Sequence, residues 1–153
     1  MRKKRYILVV FLCLAWTAFI FSRSAKSGAA STQESQAALD VIARIFNFFG
    51  IQKLPSEHLL RKLGHFAEYA ILGVLAFVSA KMFLREFFAL VGWGYCVTVA
   101  VFDEFLVQNL AVERGPSVVD VLIDALGAVT AVFLLFLWHN RAKIFTRSLR
   151  KKP

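Results

Sequence analysis

The chain has 153 residues, 58% of them hydrophobic and 16 of them Phe, with a formal charge of +9. A soluble domain of this size is excluded, because the apolar residues fall in blocks long enough to cross a bilayer. The positive charge does not point to nucleic acid, since Lys and Arg cluster at the ends of apolar blocks. Cys13 and Cys96 stand alone in apolar runs, without a redox or metal-ligand spacing.

The first span is predicted at 6–21, behind Arg2, Lys3, Lys4 and Arg5. It reads as a membrane helix rather than a cleaved leader. A loop covers 22–60, and its first part, Ser22 to Ser35, is small and polar. Ser31 and Glu34 have capping-box spacing. Ala38, Leu39, Ile42, Ile45, Phe46 and Phe49 then recur at helical spacing, and Gly50 and Pro55 end the run. This predicts an amphipathic helix starting near Ser31 and lying on the outer membrane surface.

A further helix start at Ser56-Glu57 leads into the second span, 66–84. Along it Lys62, His65, Tyr69 and Gly73 share one face, which Ala76 and Ala80 extend. The third span, 87–110, is uncharged until Asp103 and Glu104, and Glu104 and Gln108 lie four residues apart on one face. Arg114 sits in the short turn Glu113-Arg114-Gly115-Pro116. The fourth span, 118–138, carries Asp120, Asp124, Gly127 and Ala131 on one face, and a basic tail covers 139–153. The predicted fold is all-α: one domain over 1–153, a transmembrane bundle of four helices with an extracytoplasmic amphipathic helix in the first loop.

Orientation follows from the basic residues. With both termini inside, Arg2 to Arg5, Lys81, Arg85 and the tail from Arg141 to Lys152 all fall on one side, with Glu86 the only acid there. The positive-inside rule then predicts a cytoplasmic (inner) membrane protein with both termini cytoplasmic. Threading places Lys62 to Tyr69, Asp103 to Gln108, and Asp120 and Asp124 in the outer half of the membrane. A charge at the centre of a span costs about 2.5–3.5 kcal/mol on insertion scales. Such residues face an interior and mark function, so their shared depth predicts an outward-facing polar pocket.

The quoted segments RKLGHFAEYAILG (61–73), FDEFLVQ (102–108) and RGPSVVDVLIDALG (114–127) resemble the VanZ-like family. These are small multi-pass bacterial membrane proteins named for a teicoplanin-resistance protein. The resemblance implies a polar signature on Lys62, His65, Tyr69, Gly73, Asp103, Glu104, Gln108, Arg114, Asp120, Asp124 and Gly127, and low-level teicoplanin-type resistance in some members. Two departures stand out. The family has two residues between its Glu and Gln where this chain has three, and Val112-Glu113 replaces the Pro-Gly before the Arg.

The expected ligand-binding set is Arg61, Lys62, His65, Glu68, Tyr69, Asp103, Glu104, Gln108, Arg114, Asp120 and Asp124. The expected ligand is a membrane lipid, a lipid-linked cell-wall precursor or a glycopeptide antibiotic. The alternatives are a membrane enzyme on a lipid-linked substrate, with His65, Glu104 and Asp120 as catalytic candidates, or an ion-coupled carrier. No HExxH motif or nucleophile elbow is present, and no cofactor or metal is assigned. One His with several carboxylates is weak as a zinc site and acceptable for a harder divalent cation.

Overall fold

A computed structural model describes residues 2–51, 53–112 and 115–150, and they form helices without a strand. Helix α1 spans Arg2–Ser24, α2 Gly28–Phe48, α3 Glu57–Phe83, α4 Phe88–Phe102 and α5 Val118–Arg150, with a π-helical turn at Asp103–Gln108 continuing α4. Four stretches are long and apolar enough to cross a membrane: Lys4–Ser24, Glu57–Phe83, Phe88–Gln108 and Val118–Arg141. Helix α3 lies at the centre, packed on α5, α4 and α1, and it carries α2 against its N-terminal end.

Local chemistry sets the helix ends. Ser56 Oγ accepts from Leu59 N at 3.2 Å and caps α3, and Ser117 Oγ does the same for Asp120 N at the start of α5. The end of α2 is a Schellman motif. Gly50 takes a left-handed φ of 71°, Gly50 N donates to Asn47 O, and Ile51 N donates to Phe46 O. The start of α2 differs from the capping-box expectation. Ser27, not Ser31, accepts the hydrogen bond of a free helix amide, from Ala30 N at 3.3 Å. Ser31 N donates to Ser27 O, so Ser31 already lies inside the helix and residues 28–35 are helical rather than loop. At the other end of the chain, the basic tail prolongs α5 as helix through Arg150.

Lipid offers helices little hydrophobic reason to associate, so close backbone packing must hold the bundle. The contact between α3 and α5 supplies it. A Cβ placed on Gly127 would stand 2.3 Å from Phe66 O, and one on Gly73 would stand 2.8 Å from Ala128 O. Tyr69, Leu72, Ala76, Cys96, Val99, Ala100 and Ala128 fill the core around this contact. Outward-facing Phe11, Leu90, Leu122, Leu126 and Phe133 remain exposed and form the lipid face.

Candidate functional site

Tight contact between α3 and α5 brings one face of each helix together near the α2 end of the bundle. His65 on α3 then stands over Asp124 on α5, with Nδ1 3.4 Å from Oδ1. That is ion-pair reach without hydrogen-bond alignment, since neither atom has a hydrogen-bond partner. Asp103 enters from the π turn, and one ligand-type atom from each of His65, Asp103 and Asp124 lies within 4.8 Å of the others. Both Asp side chains and Tyr69 are completely buried, and the Tyr69 hydroxyl has no hydrogen-bond partner.

The π turn explains how the third span supports this centre. In i→i+5 geometry a side chain can meet neighbours four and five residues back together. Gln108 Nε2 donates to Glu104 Oε1 at 2.5 Å and to Asp103 Oδ2 at 3.3 Å. Ser24, at the end of α1, donates to the same Asp103 Oδ2 at 2.7 Å. The second oxygen of Glu104 accepts from Ser117 N at 2.9 Å and so anchors the turn that starts α5.

A cavity of about 540 Å³ adjoins the centre, between α2 and α3 at the end of α1. His65, Arg61 and Glu68 line it from α3, Arg23 and Ser24 from α1, and Glu34 from α2, with Ala37, Ala38, Leu60 and Leu63 as an apolar wall. Arg23 bridges Glu68 Oε1 at 2.9 Å and Glu34 Oε2 at 3.2 Å, and Lys26 also pairs with Glu34. Arg61 reaches Glu57 at 2.5 Å and Thr32 Oγ1 at 3.0 Å, which ties α3 to α2. Trp16 Nε1 donates to the Glu68 carbonyl at 2.9 Å and fixes α1 beside it.

Residues 9–139 match the VanZ/LLP1 family profile. The chain belongs to the VanZ/LLP1 family. No curated protein and no solved structure matches it. In this VanZ/LLP1 protein Glu104 and Gln108 both lie inside the π turn, with Gln108 on both carboxylates.

The eleven site residues expected from sequence divide into groups. His65, Tyr69, Asp103 and Asp124 form the buried centre, and Glu104 and Gln108 brace it. Arg61 and Glu68 line the cavity with His65. Lys62 pairs with Asp120 at 3.4 Å, both side chains partly exposed, and neither lines that cavity. Arg114 lies outside the described residues. Sequence reasoning missed Arg23, Ser24 and Trp16. A basic residue in the last turn of a span usually snorkels to the headgroups, which hides a role in an interior ion pair; the clue was Arg23 on the same side as the carboxylates.

Proposed function

We propose that this multi-pass membrane protein receives the polar head of an anionic amphiphile in the cavity beside His65, from the extracytoplasmic side of the cytoplasmic membrane. A lipid-linked cell-wall precursor or a lipoglycopeptide of the teicoplanin class fits that description. The observation that carries the reading is the lining: Arg23, Arg61 and His65, with Glu34 and Glu68 held by Arg23, beside an apolar wall of Ala37, Ala38, Leu60 and Leu63, in a space of about 540 Å³. That volume suits one headgroup, and guanidinium groups bind phosphate and carboxylate through paired donors. The bias of Lys and Arg toward the other end of the bundle supports the orientation.

Binding of a fluorescent polyprenyl phosphate and of a labelled lipoglycopeptide to the protein in nanodiscs tests the reading. Arg61→Gln and His65→Gln are each expected to weaken binding about 10-fold, the worth of one charge-assisted contact. Cells expressing the wild type at matched membrane levels are expected to tolerate the antibiotic better than cells expressing either variant. Equal binding and equal susceptibility in all three would overturn the reading, and so would a topology reporter placing Gly115 in the cytosol.

A second reading rests on the His65–Asp124 pair. A buried carboxylate 3.4 Å from Nδ1 would, on closing to hydrogen-bond distance, hold the imidazole in one tautomer and leave Nε2 to handle a proton, and His65 lines the cavity. Such a pair suits hydrolysis or transfer at a phosphate linkage of a lipid-linked substrate. Release of phosphate or headgroup from that substrate by the wild type, abolished in His65→Gln, supports it; intact substrate after prolonged incubation rejects it.

A further inference from the structure

The centre behind the cavity is short of partners in a way that binding a headgroup alone does not repair. Asp103 and Asp124 are completely buried, yet Asp103 Oδ1 and both Asp124 oxygens accept no hydrogen bond. His65 Nδ1 and the Tyr69 hydroxyl are also unpartnered. Buried carboxylates left without donors are strongly disfavoured, so they hold a proton, pair with a cation or bind a metal. The arrangement discriminates. Ser24 and Gln108 both occupy Asp103 Oδ2, which leaves Oδ1 free, as when outer donors hold one oxygen of a ligating carboxylate. Two ligands about 2.1 Å from a tetrahedral ion stand about 3.4 Å apart, and His65 Nδ1 and Asp124 Oδ1 are 3.4 Å apart.

We propose that His65, Asp103 and Asp124 bind one divalent cation of borderline hardness, Zn²⁺ or Mn²⁺. One imidazole nitrogen with two carboxylate oxygens selects such an ion over Mg²⁺ or Ca²⁺, which take oxygen alone. Its two charges offset the two ligating carboxylates, while Glu104, also completely buried, is held by Gln108 and Ser117 N. The remaining coordination position falls to water or a ligand from the cavity that His65 lines. This deepens the pocket reading and rests on it for what the ion meets: with the ion bound, an acid-rich centre accepts a phosphate or carboxylate.

The test uses the full-length chain in detergent, stripped with EDTA, dialysed and titrated with ZnCl₂ and with MnCl₂ by calorimetry. Co²⁺ serves as the spectroscopic probe. One ion per chain is expected, with visible Co²⁺ bands of a low-coordinate nitrogen–oxygen site. His65→Gln and Asp124→Asn are each expected to weaken binding about 100-fold, the upper end of what changing the groups behind metal ligands costs, whereas Thr130→Ala, at an exposed position of α5, leaves it unchanged. Should either variant fail to fold, the wild-type stoichiometry and Co²⁺ spectrum decide alone. Wild type that takes up no stoichiometric ion overturns the proposal, as does equal uptake by folded His65→Gln and Asp124→Asn. Ion uptake without amphiphile binding upholds the metal site and removes the pocket reading; amphiphile binding that EDTA leaves intact, with no uptake, does the reverse.

Discussion

The two ends of the bundle bury different things. At the end away from α2, Phe77, Phe88 and Val132 pack as an apolar cluster, with the Phe77 and Phe88 rings edge to face at 5.2 Å. The charged group there, Lys81, is exposed and meets His139 Nδ1 at 2.8 Å, and the Ser79 hydroxyl is the only buried side-chain atom without a hydrogen-bond partner in that half among the described residues. At the α2 end, three carboxylates are completely buried, and two of them, Asp103 and Asp124, meet a histidine and a tyrosine beside a cavity. The same helices therefore pack well without buried charge. That contrast is the physical argument behind the role proposed for the polar centre.

Substitutions can break or sharpen that contrast, each read as thermal or steric-trap stability in micelles containing EDTA. The largest effect is expected between the ends, where the α3–α5 contact serves both. Gly127→Ala drives a methyl into the Phe66 carbonyl and is expected to cost about 3 kcal/mol, as overpacking a tight site does. Gly94→Ala, with nothing within 4 Å, is expected to cost nothing and controls for helix propensity. At the apolar end, Phe77→Ala is expected to lose about 2 kcal/mol of packing while amphiphile binding persists. At the polar end the sign reverses. Asp124→Asn removes a buried charge that accepts no hydrogen bond and is expected to raise stability by about 1 kcal/mol while weakening ion binding about 100-fold. A loss of stability there would return the centre to a structural role. The smallest change is Trp16→Phe, which removes one hydrogen bond to the Glu68 carbonyl and is expected to cost about 0.6 kcal/mol, the average for such bonds in membrane bundles.

Much of this was legible along the chain. Length and hydropathy marked four spans, and steps of three and four put His65 and Tyr69 on one stripe and Asp120 and Asp124 on another. The family resemblance selected the same residues. The start of α2 was misread because Ser31–Glu34 and Ser27–Ala30 are both plausible caps by spacing, and only the backbone shows which serine stands outside the helix. The Asp103–Gln108 turn was read as ordinary helix, since the residue pattern does not distinguish i→i+4 from i→i+5 pairing when both keep Gln108 near Glu104. Glu68 could face lipid or interior on its stripe, and its pairing with Arg23 from another helix decided the matter.

The sequence by itself determined the helices, the membrane and the depth at which the ionisable groups lie, because these follow from periodicity and from the cost of charge in hydrocarbon. Tertiary structure alone decided which of those groups meet. His65, Asp103 and Asp124 converge because Gly73 and Gly127 let α3 and α5 approach to backbone contact, with Asp103 buried at the first residue of the π turn. Lys62 and Asp120, on the same stripes one turn nearer the helix starts, pair at the rim instead. A stripe specifies a direction around one helix axis, whereas a site depends on distances between axes.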